Sequence, residues 1–283
     1  MQSSRGHEYG VIHLLTEESG LLVEVLAKNL AIPESDIENL LNFGAIYLTN
    51  QRTTHNVQLK KQDYIRVHTK PRRFQRAVNW ENHILWQNEN YIIINKPSGL
   101  PCHPTVDNLF ENILTQLECF LGQKIFLTHR LDLPTTGLLV FAKTLNAQAS
   151  FNKALANSEV SKIYEAVIEG QQAPALGTLT HHMEISPRAP KIVHAEKQEN
   201  TVLCQLEILE TKSVGDNTWV KIKLETGRTH QIRAQLSKIG FPIIGDIQYG
   251  AKTIKKIGWE EIELKSAEIV WPPYSWVLSQ LVQ

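Results

Sequence analysis

The run Thr128-His129-Arg130-Leu131-Asp132-Leu133-Pro134-Thr135-Thr136-Gly137 sets a carboxylate between a basic dipeptide and a Pro-Thr-Thr-Gly turn. Leu138-Leu139-Val140-Phe141, apolar and β-prone, follows directly. A loop acid beside a cation, held by the start of a strand, is well placed for chemistry on a bound substrate. The same residues also suit a structural role, because Asp often caps a turn. For this run alone the structural reading is favoured.

A second cluster is Thr226-Gly227-Arg228-Thr229-His230-Gln231-Ile232-Arg233-Ala234-Gln235-Leu236. Arg228 and Arg233 each carry a fork that matches a carboxylate or a phosphate. If His230 begins a helix, its early amide groups also favour an anion. The alternative is a basic helix face backed by Ile232 and Leu236. In a third cluster, Ser161-Lys162-Ile163-Tyr164-Glu165-Ala166-Val167, a strand puts Lys162 and Tyr164 on one face. A cation beside an aromatic suits a phosphate and a stacked base. In isolation a polar sheet face with a surface tyrosine is the favoured reading.

Other chemistries lack their residues. His181-His182 are adjacent and point apart on a strand, so they chelate poorly. His129 and His230 have no carboxylate or cysteine at usual ligand spacing, so no metal site is expected. The chain has no G-x-S-x-G elbow, no P-loop and no G-x-G-x-x-G. A hydrolase acting on a small phosphate ester is disfavoured on those grounds.

The elements that must hold these clusters follow from patterning. The chain has 283 residues, enough for one large domain or two ordinary ones. Lys+Arg 29 balances Asp+Glu 29, so any nucleic-acid site must come from local clustering of charge. Cys102, Cys119 and Cys204 are dispersed and odd in number, which points to a reducing compartment and a cytoplasmic protein. The polar N-terminus has no signal core, and no apolar run approaches the roughly 20 residues that span a bilayer. Residues 1 to about 18 are polar and are expected to be poorly ordered.

Leu21 to Leu30 repeats at helical spacing, and Pro33-Glu34-Ser35-Asp36 ends that helix and starts another. Gly44 stops the second, and strands follow at Ala45–Leu48 and Asp63–Val67. Lys70-Pro71-Arg72-Arg73-Phe74-Gln75-Arg76 holds four cations and no acid. It reads as a solvated linker or as a phosphate-contacting strap. Beyond it, Ile84-Leu85-Trp86 and Tyr91-Ile92-Ile93-Ile94 flank Asn88-Glu89-Asn90 as a hairpin. Helices are expected from Leu109 to Phe120, over 147–156 and over 230–237, with strands at 163–168, 202–209 and 219–224. Strands and helices do not alternate regularly. The expected fold class is therefore α+β, with a mixed, largely antiparallel sheet and flanking helices.

Taken in order, Asn95-Lys96-Pro97-Ser98-Gly99, the Asp132 run, Lys162-x-Tyr164-x-Ala166, Thr226 to Arg233 and Gly240-Phe241-Pro242-Ile243-Ile244-Gly245-Asp246-Ile247-Gln248-Tyr249-Gly250 closely resemble the RluA-type pseudouridine synthases. The resemblance covers residue 84 to the C-terminus. Residues 42–50 and 60–67 are similar to an S4 RNA-binding domain. In two places the chain departs from the family pattern. Ser35-Asp36-Ile37-Glu38 stands where S4 domains usually carry Ser-Arg, and Leu264-Lys265-Ser266 where the family tends to have Leu-His-Ala.

The resemblance implies a small α/β S4-like domain over 1–69, a basic linker over 70–82 and a catalytic domain over 83–283. It implies an isomerase that converts a specific uridine in structured RNA, ribosomal or transfer, to pseudouridine without cofactor or metal. Asp132 would be the catalytic carboxylate and Arg233 its ionic partner. Tyr164 would pack on the flipped uracil, and Arg130 would fill the space the base vacates. Lys162, Arg228 and His230 would contact phosphate. The alternative is an RNA-binding or ribosome-assembly factor whose catalysis is secondary or lost.

Overall fold

The computed structural model describes residues 10–74, 78–254 and 261–281. The chain packs as two compact units, residues 1–76 with 103–121, and residues 77–102 with 122–283. The first nine residues and the Gln75-Arg76 end of the basic run lie outside the described residues.

In the first unit, β1 (Val11–Leu15), β2 (Gly20–Leu21), α1 (Leu22–Leu30) and α2 (Glu34–Asn42) come first. β3 (Ile46–Leu48), β4 (Gln51–Thr53), β5 (Gln58–Leu59) and β6 (Tyr64–His68) follow. A four-stranded antiparallel sheet has the order β1-β6-β3-β4. The expected disorder up to residue 18 is corrected for Val11–Leu15. This run carries four apolar residues, pairs along β6 and buries Leu14 in the unit's core. The helices bury the stripes read from sequence, Leu22, Val25 and Leu26 on one and Ile37, Leu40 and Leu41 on the other. The first ends at Ala31, in a left-handed conformation, two residues before Pro33. Gly44, with φ 64°, ends the second as expected, its N–H donating to the Leu41 carbonyl.

Residues 103–121, including α3 (Ile113–Leu121), belong to this unit. Here two cations of the basic run meet acids. Arg72 forks onto Asp107 at 2.7 Å and Arg73 onto Glu111 at 2.8 Å. Burial opposes the Asp107 charge, but the Arg72 hydrogen bonds hold its carboxyl well below the usual range.

The second unit is built on an eleven-stranded sheet. Its strands are β7 (Ile84–Gln87), β8 (Tyr91–Lys96), β9 (Phe126–Leu127), β10 (Thr136–Ala142), β11 (Ser161–Ile168) and β12 (Gly177–Glu184). They continue with β13 (Val193–His194), β14 (Thr201–Val214), β15 (Asn217–Leu224), β16 (Leu264–Trp271) and β17 (Tyr274–Val277). The order is β13-β12-β14-β15-β11-β16-β10-β8-β7, with β17 on β16 and β9 on β10. The β10–β16 pair is parallel and the other pairs are antiparallel. The helices are α4 (Leu145–Ala156), α5 (Gln231–Lys238) and the short α6 (Leu278–Leu281). The Thr144 hydroxyl accepts the Ala147 N–H to cap α4, which seats Phe151 against Leu138, Val140 and Ile269. This is the mixed, largely antiparallel α+β architecture expected from the sequence.

One glycine ties the sheet to the candidate site. Gly137, the second residue of β10, has φ 99° and pairs with Ser266 of β16, which pairs in turn with Tyr164 of β11. A Cβ on Gly137 would stand 2.2 Å from the Ser266 carbonyl oxygen. Gly137→Ala is therefore expected to destabilise by about 2–4 kcal/mol. The thermal midpoint should fall by roughly 5–10 °C in a melting experiment.

Candidate active site

The Asp132 loop runs from β9 to β10 and is pinned along its length. The Thr128 hydroxyl donates to the Val140 carbonyl, and the Val140 N–H donates to His129 Nε2 at 3.2 Å. The Cys102 thiol donates to the Leu131 carbonyl and accepts its N–H. Gly99 N–H donates to the Leu133 carbonyl, and the Ser98 hydroxyl to the Pro134 carbonyl. Lys96 is fully buried, and its ammonium donates to the carbonyls of Pro97, Leu133 and Thr135 at 2.9–3.0 Å. Two of those carbonyls flank Pro134 in the turn that follows Asp132.

Asp132 opens that turn, since the Thr135 N–H donates to its carbonyl at 3.1 Å. The turn role is thus filled by the Asp132 backbone. Its carboxylate, 21% exposed, has one ion-pair partner among the described residues, Arg233 Nη1 at 3.6 Å. At an effective dielectric of about 20 such a pair is worth roughly 4 kcal/mol before desolvation.

Arg233 lies on α5, where residues 231 to 236 are all buried. Its Nε and Nη2 fork onto the two oxygens of Asp246 at 2.7 and 2.8 Å. Nη2 also reaches Gln248 Oε1, and Cζ lies 4.8 Å from the Tyr249 ring centroid. Burial works against this cation, but the Asp246 hydrogen bonds and charge hold it above its ordinary value. Arg233 and Asp246 cancel, so the carboxylate of Asp132 carries the net negative charge of the three.

The loop leading into α5 is fixed by Gln231. Its Oε1 accepts from the Thr226 hydroxyl and the Arg228 N–H, and its Nε2 donates to the Gln205 carbonyl. His230 caps the helix at φ 58°, a left-handed conformation. Tyr249 Oη accepts the Lys191 N–H at 2.7 Å and shares a hydrogen bond with His230 Nδ1 at 3.0 Å. Burial lowers the pKa of His230, although the charge of Asp132 pulls the other way.

Tyr164 and Lys162 share one face of β11, as expected from strand alternation. Tyr164 is 5% exposed, and burial followed by the charge of Asp132 pushes its hydroxyl well above the ordinary range. It is a neutral aromatic plate within the field of Asp132. Burial lowers the pKa of Lys162, whose Nζ lies 3.4 Å from where a Cβ on Gly227 would sit. Arg130 is exposed two residues before Asp132. Arg228 is exposed too, and its Nε reaches the Leu203 carbonyl of β14 and not Asp132.

The structure thus brings Asp132, Arg233, Tyr164 and His230 into one electrostatically coupled site, with Lys162 beside its loop. Arg228 joins through its backbone. Lys96, Cys102, Asp246 and Tyr249 were given no role from sequence, although Lys96, Asp246 and Tyr249 lie inside the motifs. Among the described residues no group of three or more His, Cys, Asp or Glu stands where a metal ion could be held.

A solved structure of human RNA pseudouridylate synthase domain containing 4 superposes with a TM-score of 0.57 at 22% identity, covering 70% of this chain and 88% of that one. This establishes the class of fold. The family model for RNA pseudouridylate synthase matches residues 90–238, just over half of the chain, and the chain belongs to that family. The chloroplastic RNA pseudouridine synthase 6 of Arabidopsis thaliana is 33% identical over 234 residues, 73% of this chain and 49% of that protein. The ribosomal large subunit pseudouridine synthase D of Pseudomonas aeruginosa is 35% identical over 186 residues, 62% and 56% respectively. The chain spans about half the length of these two relatives.

His129 supplies a pH test of the loop. Burial, then the charge of Lys162, lowers its pKa to about 3. As pH falls, the unfolded chain takes up this proton near 6.5, well before the folded one does. The contribution of His129 is therefore complete above pH 6.5 and is lost progressively towards pH 3. Stability should fall by about 2 kcal/mol between pH 7 and 5 on this account. In denaturant titrations His129→Gln, whose amide oxygen accepts the same Val140 N–H, should show a slope shallower by that amount.

Proposed function

We propose that this chain isomerises a specific uridine in structured RNA to pseudouridine at Asp132. The observation that carries the reading is the pairing of one partly exposed carboxylate with a buried arginine, next to the buried Tyr164 plate.

The chemistry matches that layout. The N1–C1′ bond of uridine breaks and a C5–C1′ bond forms. The C5 proton is lost and N1 gains one, so no electron acceptor enters the balance. The carboxylate of Asp132 acts on the ribose or the base as an anion. Arg233, 3.6 Å away, orients it. Tyr164 packs on the uracil once the base has left its stack, and exposed Arg130 fills the gap it leaves. Lys162, with its reduced proton affinity, and His230 line the approach of the backbone and base. Arg228 contributes from the rim.

The domain division at 1–69 and 83–283 belongs to this proposal, with the S4-like portion contributing RNA affinity. The relative from Pseudomonas is named for the large ribosomal subunit, and ribosomal RNA is the favoured substrate class on that similarity. A cytoplasmic location, read from cysteine usage, is likewise part of the proposal. No helix among the described residues is long and apolar enough to cross a membrane.

The test is release of tritium from [5-³H]uridine-labelled total RNA taken from cells lacking the gene. Wild-type protein is expected to release it, and Asp132→Asn to slow release by at least about 10³-fold, about 4 kcal/mol of barrier. Wild-type release by the variant would refute the assignment of Asp132.

A further inference from the structure

We propose that Asp246 is a positioning residue that sets the place of Asp132 through Arg233. This rests on the reading of Asp132 as the catalytic carboxylate.

Arg233 stands between two carboxylates and treats them differently. Asp246 receives the full fork, at 2.7 and 2.8 Å, with its own side chain 1% exposed. Asp132 receives only Nη1, at 3.6 Å, beyond a hydrogen bond. A lone arginine facing one loop carboxylate closes onto it bidentately. That arrangement would turn Asp132 into half of a neutral pair, with its oxygens tied to the protein. Here the fork is already taken. Arg233 is neutralised from behind, and Asp132 keeps its negative charge and its freedom to meet a substrate atom.

The cradle around Arg233 keeps it from turning. Gln248 Oε1 accepts from Nη2 at 3.1 Å, and the Tyr249 ring lies against the guanidinium. The Tyr249 hydroxyl is anchored to Lys191 N–H and His230, and the Ser237 hydroxyl of α5 donates to the Tyr249 carbonyl at 2.6 Å. Asp246 and Tyr249 lie together on the segment from Gly245 to Gly250. A Cβ on Gly245 would stand 2.0 Å from the Glu261 carbonyl oxygen, so the start of that segment has no lateral play. The segment presents an acid, an amide and a ring to one guanidinium.

The experiment compares wild type, Asp132→Asn, Asp246→Asn, Arg233→Gln and the double variant Arg233→Gln/Asp246→Asn on the labelled total RNA described above. Asp246→Asn is expected to lower kcat at least tenfold while KM stays within twofold, because Asp246 acts on the reacting carboxylate and not on RNA binding. The double variant removes both buried charges. It should melt at a higher temperature than Arg233→Gln and turn over no faster. Recovery of stability without recovery of rate separates positioning from a merely structural role. If Asp246→Asn turns over within twofold of wild type while Asp132→Asn is inactive, the proposal is overturned and the reading of Asp132 stands. An active Asp132→Asn overturns both. Should Asp246→Asn fail to fold, the two Arg233→Gln proteins decide alone. Equal kcat supports action through Arg233, and a further tenfold fall in the double variant overturns it.

Discussion

Arg233 lies about 2.7 Å from one carboxylate and 3.6 Å from another, and that asymmetry governs the site. A buried guanidinium needs a compensating anion, or its desolvation would cost several kcal/mol. Asp246 supplies it. What remains of the arginine's field is directed at Asp132, which is partly exposed and carries the uncompensated charge. Tyr164, His230 and Tyr249 all sit within the field of that anion, and the proton affinities of all three respond to it. The fold brings these groups from β11, from α5 and from the segment that follows it onto one loop acid.

A reactive anion on a loop is useful only if the loop does not wander. The segment from Thr128 to Thr135 therefore commits side-chain and backbone polar groups to fixed partners. Val140 anchors one end, the Cys102 thiol the middle, and the Lys96 ammonium the far end. Burying a lysine among carbonyls is unfavourable unless all its donors are used. Lys96 places two of its three hydrogen bonds where the chain turns from Asp132 into β10, and the third on Pro97. The carboxylate is then free of any turn duty, which falls to the Asp132 carbonyl alone.

Much of this was legible in the sequence, and the reasons are specific. Lys162 and Tyr164 share a face because strand alternation requires it. Ile232 and Leu236 stand four residues apart, at helical spacing, and α5 forms there. Asp132 and Arg233 were paired through the order of motifs and not through spacing, since 101 residues separate them. Strand β1 was missed because it follows a polar N-terminal stretch and needs β6, some fifty residues later, to complete it. Strand β16 escaped because Leu264-Lys265-Ser266-Ala267-Glu268-Ile269 does not alternate, its neighbours covering both edges. Lys96 reads as a surface residue in any composition-based view, and its burial follows from tertiary packing. Asp246 and Tyr249 were visible as motif members, yet their purpose appears only when the Gly245–Gly250 segment meets α5.

The most direct measurement is a map of pseudouridines in cellular RNA, compared among a strain carrying the gene, a deletion strain, and deletion strains restored with wild type or Asp132→Asn. The account predicts at least one position that is uridine in the deletion strain, pseudouridine with wild type, and uridine again with Asp132→Asn. An identical map in all four strains, or full restoration by Asp132→Asn, would contradict it.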